Sequence, residues 1–230
     1  MTPNGEEDEG FNMAALIWDK IGERYYETGI DHGVIYPYST TGYGKGVAWS
    51  GLTGVQEKPT GADANELYAD NIKYLEMRGA EKFEATVTAY TYPDEFAILD
   101  GSAELKAGSG VLVHQQTRGL FGMAYRSRVG NDTQFDDLGY KLHIVYGATV
   151  SPSQVDRSTV NEDPEAIEFS WDMTTTPVEV PGMKPTAHIS IDSRKCDAEK
   201  LAEIESTLFG SADGDATLLL PADLLALLNE

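Results

Sequence analysis

A single cysteine, Cys196, stands in a chain of 230 residues, so no intramolecular disulfide is available. The fold must rest on packing alone, which suits a reducing compartment. Basic residues are also scarce: 17 Lys+Arg face 38 Asp+Glu, a formal net charge of −21. Affinity for a phosphate backbone comes from Lys and Arg displacing condensed counterions, so ordinary DNA or RNA binding is not expected. Acid excess of this size does one of two things. It keeps a crowded protein soluble, or it makes a surface that a polyanion passes without adhering. No apolar run approaches the roughly 18 residues of a membrane span, and no membrane partner is expected. The opening residues include Glu6, Glu7, Asp8 and Glu9, opposite in sign to a secretory leader, so the chain is expected to be soluble and made in a cytoplasm. On that reading the glycosylation pattern Asn131-Asp132-Thr133 is incidental.

Catalytic and metal signatures are missing too. His32, His114, His143 and His188 occur singly, without His-Glu-x-x-His or a Cys/His pair at zinc spacing, and read as strand or turn residues. His143 and His188 fall on what the alternation marks as polar strand faces. No Gly-x-Ser-x-Gly elbow is present, and Gly42-Tyr43-Gly44-Lys45-Gly46 lacks the Gly-Lys-Ser/Thr ending of a phosphate loop. The acid pairs Asp94-Glu95 and Glu162-Asp163 are unremarkable at this composition, and Asp213-Gly214-Asp215 lacks the terminal Glu of a calcium loop. No enzyme activity, cofactor or metal is therefore expected.

What the chain does have is period-two alternation. Val34-Ile35-Tyr36 and Val47-Ala48-Trp49 flank a glycine-rich turn and read as a hairpin. In Glu81 to Tyr90, Phe83, Ala85, Val87 and Ala89 share one face, with Lys82, Glu84, Thr86 and Thr88 on the other. Leu120 to Val129, Tyr140 to Val150, Ile167 to Thr174 and His188 to Ile191 follow the same rule. In the third of these, Ile167, Phe169, Trp171 and Met173 point inward. With Gly/Pro/Asn punctuation between them, these segments predict a mainly β fold, an antiparallel sandwich or barrel. One helix is expected over 197–209: Leu201, Ile204 and Leu208 are helically spaced, the first turn is acidic and Gly210 occupies the αL cap position. Gln56 to Asn71 shows no clear period and reads as a long loop suited to contact with a neighbouring subunit. Residues 1–12 read as a mobile acidic arm, with Met13 a possible alternative start. Residues 13–210 read as the β domain, and 211–230 as a C-terminal arm whose apolar stretch packs on its own domain or on a neighbour.

Seven stretches, in order, are similar to one family: Gly22–Val34, Tyr92–Phe96, Phe121–Ser127, Tyr140–Ala148, Phe169–Asp172, Thr176–Val178 and Leu208–Gly210. Together they resemble the major tail (tail tube) proteins of long-tailed, siphovirus-type bacteriophages, over roughly residues 14–210. The resemblance implies a β-sandwich of the tail-tube type with one flanking helix. It implies six copies in a ring and rings stacked into a tube through which the genome leaves. It also implies a virion protein assembled in the bacterial host cytoplasm, with tail terminator, tape measure and distal tail proteins as partners beside its own copies. The acidic stretch before Met13 is additional to the family pattern, and an added immunoglobulin-like domain after Gly210 is not expected.

Taken with the charge, the resemblance yields an expectation about a wall. Six chains at −21 carry a formal −126 per ring, and DNA sliding along such a wall has no lysines onto which to release counterions. Screening confines the field to about 8–10 Å, so only residues at the wall matter. Glu81, Glu84, Glu168 and Asp172, on polar strand faces, are the candidates for the lumen lining; a plain solvent face or a subunit seam is the competing assignment. Three other classes stay open: an acidic DNA mimic, a carboxylate-dependent hydrolase on a β-sandwich, and a bacterial secretion-tube ring protein of the same fold.

Overall fold

The structure, a computed structural model, describes residues 16–61, 63–160, 165–212 and 214–229. The acidic stretch 1–12, Met13, the Glu162-Asp163 pair and Asp213 lie outside the described residues. Thirteen strands and three helices are present among the described residues. The first group is β1 (Tyr26–Ser39), β2 (Gly42–Tyr43), β3 (Val47–Ala48), β4 (Leu52–Glu57), β5 (Ala64–Ala69), β6 (Ile72–Arg78) and β7 (Glu84–Ala89). Helix α1 (Asp94–Leu99) follows, then β8 (Ala103–Glu104), β9 (Leu112–Val113), β10 (Phe121–Asn131), β11 (Phe135–Val155), β12 (Phe169–Thr175) and β13 (His188–Asp192). Helices α2 (Ala198–Phe209) and α3 (Pro221–Asn229) close the chain.

Nine strands form one antiparallel sheet in the order β2-β1-β10-β11-β12-β7-β4, with β13 on β11 and β3 on β1. The sheet curls until its ends meet: Gly33 of β1 packs on Leu52 of β4, whose Cδ2 lies 3.0 Å from where a glycine Cβ would sit. The corner is made by β11. Residues Lys141–Val145 pair with β13 and residues Ala148–Val155 with β12. At the junction Gly147 takes φ +57, where an added Cβ would strike the carbonyl of Thr176. Only glycine fits there, and the bulge it allows turns one strand into a member of both walls.

Curling creates two cores. Between the walls lie Ile35, Trp49, Val87, Phe96, Phe121, Met123, Val145, Trp171 and Met173. Trp49 donates its indole N–H to the Thr91 carbonyl at 2.8 Å, so the largest side chain is buried with its polar atom satisfied. On the outer side of β1, β10 and β11, Val34, Tyr36, Ala124, Leu142, Ile144 and Tyr146 pack against Ile204 and Leu208 of α2 and Leu224 and Leu227 of α3. Tyr36 and Tyr146 donate their hydroxyls to the carbonyls of Leu208 and Leu219. Strands β10 and β11 are thus apolar on both faces because both faces are covered.

Helix α2 starts where the sequence places it, with the Asp197 carboxylate accepting from the N–H groups of Glu199 and Lys200. Gly210 ends it with φ 82 but ψ 165, an extended glycine-only conformation in place of the expected αL cap. Two further helices depart from the single-helix expectation. Six-residue α1 is too short to show a period, yet it delivers Phe96 and Leu99 to the inner core. Helix α3 lies in the segment read as a C-terminal arm, and that segment completes the outer core. The Gln56–Asn71 stretch also differs: it contains β5, half of a hairpin whose Asp70-Asn71 tip has φ 51 and 62, the backbone of a two-residue primed turn. Strand β1 begins at Tyr26, well ahead of the Val34-Ile35-Tyr36 run that marks it in the sequence, because register breaks after Thr28 and Asp31, with Gly29 and His32 at positive φ, interrupt its alternation. Asn131 is buried and donates to the Gly22 carbonyl, which rules out glycosylation of the folded chain.

The turn from β13 into α2 carries a titratable clamp. Hydrogen bonds from the Arg194 guanidinium, against a smaller opposing effect of burial, hold the Asp192 carboxyl at about 2. A depressed carboxyl stabilises the fold above its unfolded value near 3.8 and loses that contribution as pH falls through about 2. Discounted for solvent screening, Asp192→Asn should cost about 1 kcal/mol at pH 7. Urea unfolding should show the gap between wild type and variant narrowing from pH 5 downward; a gap constant with pH would contradict the clamp.

Candidate functional site

Three features stand apart from packing: a polar wall, an unsupported hairpin and a pair of interior histidines.

The polar wall is the outer face of β4, β7, β12 and the second half of β11. Register places Glu84 opposite Thr174, Thr86 opposite Asp172 and Thr88 opposite Ser170. Asp172 accepts from Thr86 Oγ1 at 2.9 Å, and Glu168 accepts from Thr53 Oγ1 at 2.5 Å. Ser153 with Ser170, and Thr149 with Thr174, extend a hydroxyl lattice across this face. Glu84, Glu168 and Asp172 therefore share one surface, while exposed Glu81 lies before β7, outside the strand, and is not brought into that lattice. Lys58, bonded to Thr86, is the cation drawn into it.

The hairpin β5–β6 forms a separate two-stranded sheet in which every described residue is exposed. A bulge at Tyr74 separates its faces. One carries a network in which Lys73 donates to Glu66 and Glu76, Tyr68 to Glu66 and Arg78 to Glu76. On the opposite face are Leu67 (40 % exposed), Ile72 (67 %), Leu75 (47 %) and Met77 (53 %). A lone two-stranded hairpin is marginal in water, and an amphipathic one presents a face that seeks cover. Further apolar side chains are exposed at Leu16, Ile17, Trp18 and Ile21, and an open groove of about 500 Å³ runs between β13, α2 and α3, lined by Ile189, Ile191, Leu224 and Leu228.

The histidines are not solitary. Antiparallel pairing of β11 with β13 sets Val145 opposite His188, so His143 and His188 lie on the same inner face. Their rings are parallel with centroids 5.3 Å apart, and His143 Nδ1 is 3.1 Å from His188 Nε2. Glu57, at the end of β4 on the opposite wall, brings Oε1 within 3.7 Å of His143 Nδ1 and accepts from Tyr125 OH at 2.8 Å. His143 is 7 % exposed. Burial, reinforced by the neighbouring His188, pushes it down to about 4, and burial lowers His188 as well. Both imidazoles are thus neutral at neutral pH. Polar-face assignments from alternation failed here because both sides of β11 are covered, and no spacing in the sequence links positions 45 residues apart.

Near the base of the β8–β9 loop, Ser102 Oγ lies 2.8 Å from both Asp100 Oδ1 and His114 Nδ1. With the proton on Nδ1, His114 donates to Ser102 and Ser102 donates to Asp100. In that arrangement the carboxylate holds the serine proton, and the chain of bonds ties the two ends of the loop together.

No family model matches the chain, and no curated protein matches it. Among solved structures, the chain is similar to the tube-terminating cap of the anti-feeding prophage, at 10 % identity over 77 % of this chain and 95 % of that one, TM-score 0.33. It is also similar to a chain of the sheath–tube complex of an extracellular contractile injection system in its extended state, at 10 % identity over 70 % and 88 %, TM-score 0.29. At these scores the likeness is too distant to assign a function.

Proposed function

We propose that this chain is a non-enzymatic structural subunit of a bacteriophage tail tube, built to stack with copies of itself in rings around an acidic bore. The observation that carries the proposal is the hairpin β5–β6: a two-stranded sheet with one ion-paired face and one apolar face, pairing with no other strand among the described residues. Such an element gains stability only from another surface. A second copy of the same chain is the partner that a repeating tube supplies, and the exposed apolar residues near the start of the described chain fit further contacts of that kind.

On this reading the wall bearing Glu84, Glu168 and Asp172 faces the channel and repels passing DNA. Six copies per ring, with tail terminator, tape measure and distal tail proteins as further partners, complete the proposal through the family resemblance carried by stretches such as Tyr140–Ala148. The test is sedimentation velocity over a hundredfold range of concentration, with negative-stain microscopy of the concentrated sample. Rings or cylinders forming with concentration are the expected result. A solitary particle at every concentration would replace this reading with that of an acidic binding module.

A further inference from the structure

We propose that Glu57, His143 and His188 form a binding site for one divalent transition-metal ion of the zinc class. One donor atom from each residue can be chosen so that all lie within 4.8 Å of one another. The two imidazole nitrogens are 3.1 Å apart and the Glu57 oxygen is 3.7 Å from the nearer one. Around a tetrahedral ion with bonds of about 2.0–2.1 Å, donors sit about 3.3 Å apart, so the nitrogens already have the required separation. The Glu57 oxygen must close from 3.7 Å to about 3.3 Å on the His143 side, a shift open to an exposed side chain at the rim of the sheet.

The surroundings hold the donors in place. Ser127 Oγ lies 2.9 Å from His143 Nε2, which ties up that nitrogen and leaves Nδ1 facing His188 and Glu57. Tyr125 stacks on His143 with centroids 4.7 Å apart and a 6° interplanar angle, and Phe83 stacks on His188 at 4.5 Å. Tyr125 also donates to Glu57 Oε1, the oxygen that faces His143, which keeps a second lone pair for the ion. Ring clamps and hydrogen bonds to the outer atoms of ligands are what orient a metal's donors. Two nitrogens and one carboxylate suit zinc, cobalt or nickel, not magnesium or calcium, which take oxygen donors. Three protein donors leave a fourth position for water. An ion here would link β4 on one wall to β11 and β13 on the other, so its binding should appear as fold stability.

The alternative is a single shared proton in an N–H···N bond between the two rings. The two differ in experiment, whether or not the protein assembles. The full chain, stripped with chelator, is titrated with Co²⁺ followed by visible absorption, and with Zn²⁺ followed by thermal unfolding. One equivalent should give a tetrahedral or five-coordinate cobalt spectrum, and Zn²⁺ should raise Tm by about 5 °C, with Mg²⁺ inert. His188→Gln should weaken binding at least a hundredfold, and Glu57→Gln, which spares the core, about tenfold. His32→Gln and His114→Gln should leave it unchanged. A cobalt spectrum of octahedral type, no thermal shift, or wild-type affinity in Glu57→Gln and His188→Gln would overturn the site.

Discussion

Leu67→Glu with Leu75→Glu should abolish assembly while leaving the isolated subunit folded. The two leucines are paired across the β5–β6 hairpin and sit on its apolar face, away from the Lys73 network. Neither belongs to either core. Far-UV circular dichroism and Tm should therefore match wild type within about 2 °C, since surface substitutions away from special features stay within about 0.5 kcal/mol. Docking is different. Each leucine is about half exposed in the free chain, so covering both should contribute about 2 kcal/mol of apolar burial per hairpin. The double variant forfeits that and requires two carboxylates to lose water at the contact. A combined loss of at least about 3 kcal/mol lowers the association constant more than a hundredfold at each contact. Sedimentation should show only the slow species at concentrations where wild type assembles. Normal cylinders from the double variant would remove the hairpin from the interface.

Reversal of the wall is the second large effect. Glu84→Lys, Glu168→Lys and Asp172→Lys, each worth two charges, take the formal charge of a chain from −21 to −15 and place three cations on one face. The structural cost is small, because the bonds lost are surface contacts to Thr86 and Thr53. Cylinders should form with normal length. Their behaviour towards DNA should change: wild-type cylinders should leave linear duplex DNA in the supernatant at low salt, whereas the variant should pellet it. That retention should fall with salt at a log–log slope of about −0.9 per phosphate engaged. Adding Glu81→Lys should contribute less, since Glu81 lies outside the strand that carries the lattice. Equal DNA retention by both proteins would place this face away from the bore.

How much of this was legible depended on whether one face of an element is wet. Strands β7 and β12 alternate cleanly because Val87, Trp171 and Met173 point into the inner core while Thr86, Asp172 and Thr174 meet solvent or the polar lattice. Helix α2 was legible from Asp197 through Leu208 for the same reason, having one buried stripe. Hairpin β5–β6 was hidden because it buries nothing, and the bulge at Tyr74 breaks the alternation of Leu75 and Met77 with the residues before them. Helix α3 was hidden by leucines on nearly every side, which erase a helical period. The histidine pair depends on which residues of β11 and β13 stand opposite each other, a consequence of long-range register that local pattern does not encode. The acid wall was legible in part: Glu84 and Asp172 from alternation, but not the separation of Glu81 from them.

An electron cryomicroscopy reconstruction of the assembled protein tests the account most directly. It should show closed rings in which the Leu67, Leu75 and Met77 face of each hairpin rests on an adjacent copy, and a bore lined by Glu84, Glu168 and Asp172. A particle that never closes into rings, or a bore lined by Lys and Arg, would contradict it.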